Sequence, residues 1–166
     1  MRQGLAAAVL ATIVAAGGQV VSAQNGSPAI RPEHEGIREL IASGMQRSET
    51  FRDLSARLDT SDVIVYVRYS SCSKGIPACT VWASPVADAR RLLIKVDRFG
   101  RSADELTALL AHELQHANEV ATAPEITDVD SFNKSFASRG WKHSAGIETG
   151  EATRITRQVA AELSRR

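Results

Sequence analysis

The chain reads as an α+β fold: one or two N-terminal amphipathic helices, a small three-stranded sheet, a central apolar helix and a C-terminal helix. Three observations carry this reading. Apolar residues recur every three or four positions near both ends, the helical period. Short β-branched and aromatic segments with a two-residue alternation fill the middle. A capping signature at Ser102 and Glu105 then opens a long apolar run.

The elements follow in order. Arg2, the apolar run Leu5 to Ala16 and the small residues Val21-Ser22-Ala23 have the layout of a secretory signal peptide over residues 1–23, cut before Gln24. An uncleaved N-terminal tether is the competing reading, but the run is short for a bilayer and Gly17-Gly18 weakens it. Residues 24–32, rich in Asn, Gly, Ser and Pro, read as a flexible leader. Residues 33–166 then form one domain with a single core. Between Glu33 and Leu58 the apolar positions Ile37, Leu40, Ile41, Met45, Phe51, Leu54 and Leu58 predict one long helix or two short ones, with a break near Gly44 to Ser48.

Asp62 to Tyr69 is the strongest predicted strand. Cys79 to Ala83 is a second, ended by Pro85, and Arg91 to Asp97 a third, with Leu92, Ile94 and Val96 on one face. The capped helix buries Leu106, Leu110, Leu114, Ala117 and Ala121, and Pro124 stops it soon after Thr122. A polar connection from Glu125 to Gly146 follows, anchored by Phe132, Phe136 and Trp141. A final helix from Ile147 to Leu163 carries Ile155, Val159 and Leu163 on its core stripe.

The net charge is +1. Nothing in that balance points to nucleic acid or an anionic membrane, and no segment after the signal is long enough to span a bilayer. Cys72 and Cys79 fall on the exported side, where an oxidising compartment favours a disulfide over half a metal site. The turn-forming residues between them suit a pinned hairpin between the first two strands. The expected protein is a monomer, periplasmic or secreted.

The central helix contains His112-Glu113-Leu114-Gln115-His116, an HExxH pattern. Residues four apart lie one turn above each other, so both imidazoles can grip one zinc ion. Glu113 is then placed to act as general base on a water whose pKa the ion lowers. A catalytic site of this kind needs a third protein ligand.

This helix-borne motif, preceded by strands and followed by a second helix, resembles the zincin metallopeptidases, most closely the gluzincin branch in a minimal single-domain form. The resemblance implies one Zn2+ ion, a peptide or protein substrate, and a third ligand Glu on the downstream helix. Glu148 is the first choice for that ligand and Glu151 the second. Gluzincins often carry an Asp four residues after the ligand, but Ala152 stands there. The other ring nitrogens of the His pair need acceptors, for which Asp128, Asp130 or a backbone carbonyl are the candidates. The zincin branch with a third motif His is set aside, because Ala117-Asn118-Glu119-Val120 follows His116 and the next histidine is His143. Glu119 shares the face of the His pair and is a candidate for supporting a ligand or binding substrate.

His143, Tyr66 and Arg154 are candidates to stabilise an oxyanion, although each more often is an ordinary surface or core residue. Trp82 and Trp141 read as core anchors. Two functions from different classes remain. One is an exported zinc peptidase that holds substrate along the strand edge of Arg91 to Asp97. The other is a non-catalytic zincin-like binding or structural module of the cell envelope.

Overall fold

The computed structural model describes residues 28–73, 75–86, 89–143 and 146–165, with the side chains of residues 84–86 and 141–147 left out of that description. The expected signal peptide and residues 24–27 lie outside the described residues. In chain order the elements are β1 (Ile30–Pro32), α1 (Glu35–Arg47), α2 (Glu49–Asp59), β2 (Val63–Tyr69), β3 (Ala78–Val86), β4 (Ala89–Val96), α3 (Ala103–Ala121), α4 (Val129–Arg139), β5 (Trp141–His143), β6 (Gly146–Glu148) and α5 (Gly150–Leu163).

The main sheet has the order β1-β2-β4-β3. Strands β1, β2 and β4 run parallel, and β3 is antiparallel to β4 at the border. Alternation along the strands decides which face is covered. Val63, Val65 and Val67 join Leu92, Ile94 and Val96 in the core, while Ile64, Tyr66 and Leu93 on the opposite face stay half-buried. Helices α1 and α3 pack on the covered face, and α5 packs on α3 from beyond. Sandwiched in this way, α3 buries residues around most of its circumference, among them Leu106, Ala108, Leu110, Leu114, Ala117 and Val120.

Local chemistry sets the helix ends. Ser102 accepts from the Glu105 backbone N–H while the Glu105 side chain accepts from Ser102, completing the expected capping box. The first helical stretch breaks at Ser48, which caps α2. Gly44 allows that corner to close, because a Cβ there would sit 2.7 Å from the Phe51 ring. At the other end of α3 the last turn holds no basic residue. Arg90 of β4 supplies the missing charge, donating to the carbonyls of Val120, Ala121, Ala123 and Ile126 and to both carboxylate oxygens of Asp62. Bonds from a charged donor contribute about 1.5–3 kcal/mol each, so this side chain fixes α3 along the sheet.

Several expectations are corrected. The sheet has four strands, because Ile30–Pro32, assigned to the leader, pairs with Val65–Val67. The turn-like composition concealed this: Pro32 is tolerated on a border strand, where a missing N–H costs little. Strand β3 does not stop at Pro85 but continues through a register shift between Ala83 and Val86. The strand of residues 91–97 is interior, flanked by β2 and β3, so it offers no free edge; the border beside α3 is β3. The described residues of the connection 125–146 include α4, capped by Asp128 and Ser131, and the paired strands β5 and β6. Finally, α5 starts at Gly150, with Ile147 and Glu148 in β6.

The Cys72–Cys79 disulfide is present, with a Cα–Cα distance of 6.2 Å. It does not pin a hairpin, since β2 and β3 are not neighbours. The short connection passes the end of β4, where Cys72 Sγ lies 3.8 Å from the Lys95 carbonyl oxygen. Trp82 packs against the core and lies 6.0 Å from Phe132 between ring centroids. The Trp141 side chain lies outside the described residues.

Candidate metal centre

Helical spacing brings His112 and His116 together, with ring centroids 4.9 Å apart and planes at 80°. Glu148 arrives from β6, and its Oε2 lies 3.0 Å from His112 Nε2. One donor atom from each of these three residues lies within 4.8 Å of the other two. Ligand atoms of a four-coordinate zinc sit about 3.3 Å apart, so modest side-chain rotation would close the set on one ion. Two imidazoles and a carboxylate are a donor set suited to zinc, though not exclusive to it. Glu151 is exposed on the first turn of α5 and pairs with Arg154 at 2.6 Å, away from the histidines.

The second nitrogen of each ring is engaged. Thr156 Oγ1 already donates to the Ala152 carbonyl, so at 2.8 Å it can only accept from His112 Nδ1. His116 Nδ1 donates to Glu119 Oε2 at 3.0 Å. Both arrangements leave Nε2 to face Glu148 and the space beside it. Glu119 does a second thing: its Oε1 accepts from Thr149 Oγ1 at 2.7 Å, the residue after Glu148 and the cap of α5. One carboxylate therefore ties His116 to the segment that carries Glu148. Neither Asp128, which caps α4, nor the exposed Asp130 takes part.

Glu113 is buried, and Thr80 of β3 donates to its Oε2 at 2.8 Å. Burial pushes its carboxyl above the usual range, against the fields of His116 and His112 and the Thr80 hydrogen bond. Burial alone would lower the His112 pKa. The Glu148 hydrogen bond and the charges of Glu113, Glu148 and Glu119 outweigh it and hold the imidazolium above its ordinary value. For Glu119 burial acts upward, and the His116 hydrogen bond and charge with the Thr149 and Gln115 bonds bring it below the usual carboxylate range. In the metal-free protein His112 is thus positioned to hold a second proton, at Nε2, that an arriving cation would displace.

Glu113, His116 and Glu148 border a cleft of about 410 Å3 between β3, α3 and α4. Its polar floor is Thr80, Glu113, His116 and Glu148; its apolar walls are Phe132 and Phe136 from α4, with Val81 and Ile76 opposite. Phe136 meets the His116 ring edge-on at 5.2 Å. Cys79 also lines the cleft, so the disulfide braces that wall.

Two proposed oxyanion donors are elsewhere. Tyr66 points to the uncovered face of the sheet and accepts from Arg31 at 3.2 Å. Arg154 is exposed beside Glu151. The His143 side chain lies outside the described residues. Sequence reasoning missed Thr156, Thr80 and Asn133, which also lines the cleft. A signal existed for the first: Thr156 is one turn beyond Ala152 on the stripe that faces α3. No family model matches the chain, and neither a curated protein nor a solved structure does.

Proposed function

We propose that the chain is an exported, zinc-dependent metallopeptidase in which His112, His116 and Glu148 hold one ion and Glu113 is the general base. The observation that carries this reading is the convergence of three donor atoms within 4.8 Å of one another beside a buried glutamate that is not part of the set. A purely structural site has no use for such a base. Zinc bound there would supply a water of lowered pKa and a positive centre for the scissile carbonyl oxygen. Glu113, with Oε2 held by Thr80, presents its other oxygen to take the water's proton and pass it to the leaving amine. An extended substrate would lie along β3, whose outer edge pairs with no strand among the described residues, and drop an apolar side chain between Phe132 and Phe136.

The disulfide fits an oxidising compartment, periplasmic or extracellular. No helix among the described residues is long and apolar enough to cross a membrane. The test is metal analysis of the purified protein together with peptide cleavage by the parent and by Glu113→Gln. Zinc at one equivalent and cleavage abolished in the variant support the proposal. Zinc without cleavage favours a binding module, and cleavage by Glu113→Gln at the parent rate removes the mechanism.

A further inference from the structure

A second pocket, of about 520 Å3, opens between the C-terminal turns of α2 and α3. Glu119 lines it, whereas His116 lines the cleft described above. Two side-chain amides of α3 line it as well and are buried, Gln115 at 7% exposure and Asn118 at 5%. Both amide nitrogens are spent inside the protein. Asn118 Nδ2 donates to the carbonyls of Leu54 and Leu114 at 3.2 and 2.8 Å, and Gln115 Nε2 donates to Glu119 Oε1 at 3.4 Å. Those partners only accept, so neither amide can be turned over. The orientation leaves Asn118 Oδ1 as an acceptor, and Gln115 Oε1 is buried with no partner. A buried oxygen without a donor is costly to the fold, and few are kept without a reason.

Three charged residues face the same space. Glu119 accepts from His116, Thr149 and Gln115. Asp62 gives both oxygens to Arg90. Arg57, in the last turn of α2, is exposed, and its Nε donates to the Asp53 carbonyl at 3.3 Å. The buried part of the pocket therefore offers acceptors, and its exposed rim a guanidinium. Residues 115, 118 and 119 share one face of α3, so their oxygens can serve one group. An ammonium brings three donors and no acceptor, which suits two amide oxygens beside a carboxylate. A bare cation would meet the like charge of Arg57, whereas a carboxylate on the same molecule matches the guanidinium fork.

We propose that this pocket binds a small zwitterion, a free amino acid or short peptide, with its ammonium against the Gln115, Asn118 and Glu119 oxygens and its carboxylate on Arg57. Glu119 also accepts from His116 Nδ1, so occupancy acts on a residue of the metal centre. Such zwitterions are what a peptidase releases; resting on the peptidase reading, the site gives products a route back to His116. The test is titration calorimetry of the exported protein with glycine and with diglycine, in chelator so that neither binds through zinc. Saturable uptake of one or both is expected, and ethylamine and acetate, each carrying one end, should bind about tenfold more weakly. Arg57→Ala should weaken uptake about tenfold and Gln115→Met about fivefold, with circular dichroism unchanged. Arg38→Ala, which removes an exposed cation paired with Glu35, should bind as the parent does. The proposal is overturned if neither zwitterion is taken up, if Arg57→Ala binds at the parent level, if Arg38→Ala loses as much, or if ethylamine binds as tightly as the zwitterions. The readout requires neither metal nor turnover, so this site can fail while the peptidase reading stands, and the reverse.

Discussion

Replacing Glu148 with alanine removes one of three donors and should make the protein indifferent to zinc. The magnitude follows from linkage. At free zinc one hundred times Kd, binding stabilises the fold by about 2.7 kcal/mol. Losing a residue that merely orients a ligand weakens metal binding by about 10–100-fold, so losing a ligand should cost at least the upper value. At a hundredfold loss the same zinc concentration equals the new Kd, and the stabilisation falls to about 0.4 kcal/mol. About 2.3 kcal/mol of zinc-dependent stability should therefore vanish, a melting shift of about 8 °C for a domain of this size. Glu151→Ala breaks only an exposed pair with Arg154, with side chains 48% and 56% accessible. It should cost well under about 1 kcal/mol and leave the zinc response intact. Thermal melts with chelator and with zinc, alongside titration calorimetry, give both quantities. A full zinc shift in Glu148→Ala, or its loss in Glu151→Ala, would refute the ligand assignment.

Further outcomes are expected at neighbouring positions. Glu113→Gln should keep the zinc-dependent melting shift and lose about 10²–10⁴-fold in peptide turnover. In the metal-free protein the Glu113 pKa is raised above 4.5 on folding, so its contribution is complete below that value and is lost as pH rises through the folded value. Metal-free Glu113→Gln should accordingly be more stable than the parent at pH 7, by a margin that shrinks toward pH 4.5; urea unfolding at several pH values reads this, and an unchanged or growing margin on acidification contradicts it. Glu119→Gln and Thr156→Val should each weaken zinc binding by about 10–100-fold, and parent-like calorimetric affinities would deny both residues their orienting role. Cys72→Ser with Cys79→Ser opens a loop of sequence separation 7. It should cost about 2.4 kcal/mol in urea unfolding, and a loss below about 0.5 kcal/mol would show that the bond constrains little.

The parts of the molecule legible in its sequence are those where local chemistry and tertiary structure agree. Ser102 and Glu105 announced α3 because the capping box is made by residues three apart in the same helix. His112 and His116 were legible because a helix turn alone juxtaposes them. Glu148 was named from the resemblance and does lie beside them, yet on a strand rather than a helix. Thr149 caps α5, so the helix begins at Gly150 rather than at the expected Ile147. Strand β1 escaped notice because three residues carry no period, and only their pairing with β2 makes them a strand. Thr80 and Thr149 were invisible for a related reason. A threonine is an ordinary residue in a strand or cap until another element brings Glu113 or Glu119 within reach.

The sheet order has a consequence for how the chain reaches this state. Residues 63–69 and 78–86 are joined by a short oxidised loop, which is the ordinary recipe for a hairpin, yet the two strands end on opposite sides of β4. A chain emerging from its N-terminus must leave that slot open until residues 89–96 arrive to occupy it. Direct pairing of β2 with β3 would exclude β4 from its place, and the pairings that β4 makes instead are non-local ones of the kind that slow folding. Arg90, at the start of the arriving strand, binds both Asp62 beside β2 and the end of α3. The position of β4 in the sheet and the seating of the histidine-bearing helix thus share one side chain, so displacing either strand or helix breaks bonds to the other.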